Sequence, residues 1–208
     1  MPDTIVAVPY AEQETDYYCG PATLQMLLSA FGIATPAAPP SWQDQLWEQV
    51  KSKTGASRPP KATGQPSFPK QKCEMCSGTY SCWSTTPAVL IKILNLHQAF
   101  AKYAIKKKGT EEAATGVLMD AIDKNIPGVA LVRGWQHWLI VEGYRHDAAN
   151  ASSVAGRNLN GVYVRDPDVP GSHYIPWDTW YDDYMWFVPC GMHRDKIVVL
   201  DGVRIPNT

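Results

Sequence analysis

An amide and a thiol stand six residues apart near the start of this chain, Gln13 and Cys19, and Cys19 opens a run that reads as a helix. Within Cys19 to Gly32, Pro21 suits a first turn and Gly32 the position just past the end. Leu24, Leu27, Leu28 and Phe31 share one face of it. The positive end of a helix dipole favours an anion, so a thiol placed there is predisposed to react as the thiolate, the nucleophilic form of cysteine. Position alone activates it only in part, and a base is still needed. Gly134 to Tyr144 reads as a buried strand with His137 at its beginning, and Gly161 to Pro167 reads as the next strand with Asp166 at its end. Two neighbouring antiparallel strands bring those side chains together, because the start of one lies beside the end of the other.

These residues resemble the papain-like peptidases related to the double-glycine leader peptidases of bacteriocin exporters. The resemblance is carried by Val8-Pro9-Tyr10 leading to Gln13, by Tyr18-Cys19-Gly20-Pro21-Ala22, by His137-Trp138 through Gly143-Tyr144, and by Val164-Arg165-Asp166-Pro167. A tail of Tyr174-Ile175-Pro176-Trp177 running to Trp180 also fits. It implies Cys19 as nucleophile, His137 as general base and acid, Asp166 as the partner that orients His137, and Gln13 as oxyanion donor. Asp168 is a close rival to Asp166, but the Asp-Pro pair after a strand matches Asp166 better. The implied fold is α+β and two-lobed, with the nucleophile helix in an N-terminal helical lobe (about 1–125) and an antiparallel sheet in a β lobe (about 126–208). The chain reads as one papain-like catalytic domain over 1–208. Most of the stretch from Ser41 to Cys82 departs from the family pattern and reads as an insertion.

The implied chemistry is covalent acyl transfer through a thioester, with no cofactor required. A cysteine peptidase or amidohydrolase acting on a peptide or protein is the leading reading. An acyltransferase or peptide ligase would use the same thioester and give the acyl group to an amine. A non-catalytic peptide-binding module would keep the cleft and lose the reactivity. Taken singly, each residue has a plainer explanation: a buried cysteine packs a core, a histidine at a strand end is a satisfied polar group, and Asp before Pro starts a turn. Their joint occurrence in order, each in a suitable local element, favours the catalytic reading.

Cys73-Glu74-Met75-Cys76, then Cys82, then Cys190-Gly191-Met192-His193 pose a second question. Cys73, Cys76, Cys190 and His193 have the spacing of a structural zinc site. The competing reading pairs Cys73, Cys76, Cys82 and Cys190 in two disulfides and leaves Cys19 as the odd, reactive thiol. The two readings point to different compartments: cytoplasmic by default, since no signal peptide is visible, and secreted or periplasmic if the cysteines are bridged. His97, His146 and His173 share no ligand spacing.

With 208 residues, 45% of them apolar, the chain can bury a sizeable core. A net charge of -1 gives no electrostatic case for nucleic acid or an anionic membrane as partner. No stretch approaches the length of a membrane span. Trp135, Trp138, Trp177, Trp180 and Trp186 gather near the candidate site and read first as core packing.

The elements that must position these residues are legible in outline. Pro36 to Pro40 breaks the chain after the Cys19 helix, and Trp42 to Lys51 predicts a short helix with Trp42, Leu46 and Val50 on one side. Lys53 to Lys72 reads as an exposed loop. Thr86 caps a helix from Pro87 carrying Val89, Leu90, Ile93, Leu94 and Leu96, and Thr110 and Glu111 open another through Lys124. Lys106-Lys107-Lys108 reads as a solvated helix end. From Val129 onward the pattern turns to strands, so helices precede strands.

Overall fold

A computed structural model of the protein describes residues 3–16, 18–34, 36, 39–54, 85–98, 100–133, 137–146, 152–154, 157–187 and 196–205. Among the described residues, four helices of two turns or more are built as their sequences dictate. α1 (Cys19–Ala30) buries Leu24, Leu27 and Leu28. α2 (Trp42–Thr54) runs slightly beyond its predicted end. α3 (Pro87–His97) is capped by Thr86, whose hydroxyl accepts from the Val89 N–H, and α4 (Glu111–Ile122) by Thr110, which accepts from Ala113.

The strands form one antiparallel sheet in the order β2 (Ala101–Lys108), β8 (Ile197–Arg204), β3 (Gly128–Val132), β4 (His137–His146), β6 (Arg157–Arg165), β5 (Ser152–Val154). β1 (Asp3–Ile5) pairs with the far half of β4, and β7 (His173–Pro176) with β6. After β7 the chain makes a single helical turn, α5 (Trp177–Thr179), and runs on as a π-helical segment, Trp180–Tyr184.

Strand periodicity divides the core between two faces of this sheet. Val129, Leu131, Trp138, Ile140, Val198 and Leu200 pack toward α1, α2 and α3. Their neighbours Ala130, Val132, Leu139, Val141, Ile197 and Val199 pack toward α4 and Trp180. A sheet covered on both sides needs apolar residues at consecutive positions, which is why the middle strands read as unbroken apolar runs.

Two readings of the sequence are corrected. Ala101 to Lys108 is an edge strand and not a helix end: Ala101 and Tyr103 are buried, Lys102 and Ala104 exposed, and the whole segment pairs with β8. Its alanine and lysines favour a helix locally, but pairing along eight residues overrides that preference. The lysines then sit on an exposed sheet edge, where charge discourages pairing with another chain. Helices also do not simply precede strands, because β1 and β2 join the sheet from the first half of the chain and α4 covers its far face.

Candidate active site

Cys19 is the first residue of α1 and is buried. Tyr18 precedes it as the cap residue but makes no side-chain capping bond, and the first turn holds no acidic residue. The first N–H groups of a helix have no partner within it, so they and the helix dipole are directed at the thiol. Pro21 fits this turn because the N–H it lacks is one the helix would leave unpaired.

Gly20 holds the helix start against the rest of the site. A Cβ at Gly20 would lie 2.1 Å from Thr85 Oγ1 and 2.5 Å from Thr85 Cβ, so only glycine permits this approach. The Thr85 carbonyl accepts from the indole N–H of Trp138 at 2.7 Å, and Trp138 follows His137 on β4. Thr23 of α1 donates to the Trp138 carbonyl at 3.4 Å. Cys19 and His137 are thus linked through one buried path: Gly20, Thr85, Trp138.

His137 begins β4, and Asp166 directly follows the end of β6. Their strands pair antiparallel with Ile140 opposite Arg165, so continuing the register sets His137 against the Asp166–Asp168 turn. His137 Nε2 lies 2.7 Å from Asp166 Oδ1, with both side chains buried. Cys19 acts electrostatically on the same imidazole. With Nε2 engaged by Asp166, the nitrogen left for the thiol is Nδ1. Burial alone would make the imidazole harder to protonate. The Asp166 bond and the interaction with Cys19 outweigh that and push His137 up to about 10. Burial raises Asp166, but the bond to and charge of His137 more than reverse this and leave it below the usual carboxylate range. The Asp168 N–H also donates to Asp166 Oδ1, at 2.9 Å.

Gln13 lies in a loop clamped from two sides. Its backbone N–H donates to the Pro167 carbonyl at 3.0 Å, next to Asp166. On the other side Gln43 of α2 donates to the Glu12 carbonyl at 2.6 Å and accepts from the Glu14 N–H at 3.0 Å. The Gln13 side-chain oxygen is buried with no partner among the described residues.

Among the described residues, His137, Asp166 and Asp168 each offer one ligand atom within 4.8 Å of one another, a set that could hold a metal ion. With Asp166 bonded to the ring at 2.7 Å, the same atoms form an oriented acid–base pair. The residues of the zinc and disulfide readings, Cys73, Cys76, Cys82, Cys190 and His193, lie outside the described residues, as does Trp135. Among the described residues, Cys19 is a free cysteine. Trp138 and Trp180 are fully buried, as core packing predicts, whereas Trp186 is exposed.

A family model described as the Peptidase_C39 like family matches residues 5–184, a span that holds Gln13, Cys19, His137 and Asp166. The chain belongs to this Peptidase_C39-like family of cysteine peptidases. Of solved structures, it is similar to a double glycine motif protease from an AMS/PCAT transporter, determined in complex with the leader peptide. The identity is 15%, the match covers 99% of this chain and 100% of that one, and the TM-score is 0.48. No curated protein sequence matches the chain. No helix among the described residues is long and apolar enough to cross a membrane.

Two positioning residues of this Peptidase_C39-like chain escaped the sequence reading, Gln43 and Thr85. Gln43 carried a usable signal. It stands in register with Leu46, Trp47 and Val50 on the buried stripe of α2, and a polar residue on such a stripe must find partners. Thr85 carried none, since its role follows from backbone proximity to Gly20 and Trp138.

Proposed function

We propose that this protein is a cysteine peptidase that cleaves a peptide bond through a thioester, with Cys19 as nucleophile, His137 as general base and acid, Asp166 as its orienting partner and Gln13 as oxyanion donor. The observation that carries this reading is the buried His137–Asp166 pair at 2.7 Å, whose imidazole Cys19, at the start of α1, also acts on electrostatically.

Cys19 Sγ attacks the carbonyl carbon as a thiolate, paired with a protonated His137. The oxyanion is met by a first-turn N–H of α1 and the Gln13 amide. As the C–N bond breaks, His137 Nδ1 gives its proton to the leaving amine, and the acyl group stays on sulfur. Water then attacks the thioester, His137 takes its proton, and the C–S bond breaks to release the acid and restore the thiolate. Asp166 keeps the ring aimed and stabilises its charge throughout, without itself becoming protonated. The nucleophile and the proton carrier both come from the chain, so this chemistry calls for no cofactor.

The test is cleavage of a peptide library in isotopically labelled water, read by mass spectrometry. Labelled new carboxylates with the parent protein, and none with Cys19→Ala, are expected. Cleavage that persists in folded Cys19→Ala would overturn the assignment. Products joined to an added amine would make the protein a transferase acting through the same thioester.

A further inference from the structure

Asp168 lies on the side of His137 that faces the nucleophile. Its Oδ2 is 3.8 Å from Nδ1, the nitrogen that Asp166 leaves for Cys19, and its side chain is 46% exposed. The Asp166-Pro167-Asp168-Val169 turn fixes it there: the Val169 N–H donates to the Asp166 carbonyl and the Asp168 N–H to the Asp166 carboxylate. Asp168 is not needed to orient the ring, since Asp166 already holds Nε2.

On the mechanism above, the leaving amine takes its proton from Nδ1 and so comes within about 3 Å of it. It therefore passes within about 7 Å of Asp168, the sum of that approach and the 3.8 Å separation. Among the described residues, Asp168 feels the charges of His137, Asp166, Arg133 and Asp16.

We propose that Asp168 makes the leaving-group side of the site select a cation, so that the preferred substrate is a peptide with Lys or Arg directly after the scissile bond. The inference rests on Cys19 as nucleophile and His137 as its base. The half-exposed carboxylate remains open to a substrate cation, while its contact with Nδ1 places that cation beside the bond being broken.

The test uses three small thiol reagents on the parent, Asp168→Asn and Asp168→Glu proteins at low salt, with modification of Cys19 followed by peptide mapping. One reagent is neutral, one is a trimethylammonium methanethiosulfonate and one a sulfonate methanethiosulfonate. A unit charge about 7 Å away in a near-aqueous medium changes a rate about 3-fold, in opposite senses for the two ionic reagents. The cation-to-anion rate ratio should therefore fall about 5- to 10-fold in Asp168→Asn, stay near the parent value in Asp168→Glu, and collapse in high salt. The preference for peptides with Lys over Gln after the scissile bond should fall about 3-fold in kcat/KM with Asp168→Asn. An unchanged ratio in a folded Asp168→Asn protein would overturn the proposal. Slow labelling by the neutral reagent as well would refute Cys19 as an activated nucleophile, a separate failure.

Discussion

Replacing Gly20 by alanine sets two effects of known size against each other. Alanine in place of glycine near a helix start favours the helix by up to about 1 kcal/mol. Against that, the new Cβ would overlap the Thr85 side chain, at 2.1 Å from Oγ1, 2.5 Å from Cβ and 3.3 Å from Cγ2. Rotating the Thr85 side chain relieves the Oγ1 and Cγ2 contacts but not the one to Cβ, so the Thr85 backbone must move. Thr85 is itself buried, and forcing atoms into a packed core costs about 1–3 kcal/mol. Moving it also pulls its carbonyl from the Trp138 indole, where an unpaired buried N–H costs about 1–3 kcal/mol more. The clash wins, by about 1–5 kcal/mol after the helix gain is subtracted. For a chain of this length that lowers Tm by about 2–20 °C. Because the path runs from the residue after Cys19 to the residue after His137, Cys19 alkylation at neutral pH should slow as well. Thermal melting with parallel alkylation by iodoacetamide checks both. A Gly20→Ala protein that melts at or above the parent temperature and labels at the parent rate would refute this account of how the helix start is held.

Other expectations follow from the same contacts. Gln43→Leu removes the two Gln43 hydrogen bonds that clamp one side of the Gln13 loop and should cost about 1–3 kcal/mol, with a loss of kcat on a cleaved peptide that exceeds any change in KM. Equal kcat in the two proteins would deny Gln43 a positioning role. Thr115→Val leaves the buried Trp180 indole N–H, now bonded to Thr115 Oγ1 at 3.0 Å, without a partner, and should lower stability by about 1–3 kcal/mol while Cys19 labelling stays unchanged. His137, raised above its ordinary 6.5 to about 10, contributes stability that is fully present below about 6.5 and is lost as pH rises through about 10. Asp166, lowered, contributes stability that is lost as pH falls below the ordinary carboxylate range. Tm should therefore decline on both sides, and the alkaline decline should shrink in His137→Gln; an equal decline in the two proteins would contradict it.

Much of the site was legible because its parts are local. A cysteine before a Pro-containing first turn, a histidine at the start of an apolar run and an Asp-Pro pair at the end of another each announce an element and a place on it. Antiparallel pairing then brings Asp166 to His137 with no further information. The structure added what depends on distant neighbours. Lys106 to Lys108 went to a sheet edge because β8, contributed by the other end of the chain, was there to pair with it. The position of Asp168 beside Nδ1 of His137 follows from the turn at Pro167, and adjacency in sequence to Asp166 made the two look like alternatives for one role. Gln43 and Thr85 act on backbone groups far along the chain, and such partners leave little trace in a sequence.

The central claim is that Cys19 and His137 act as one unit, and the pH dependence of Cys19 alkylation by iodoacetamide, with His137→Ala alongside, tests it most directly. Rapid labelling of the parent that persists well below about 8.5, the ordinary thiol range, with clearly slower labelling of His137→Ala near neutrality, is the predicted result. Equal rates in the two folded proteins, rising only near about 8.5, would contradict it.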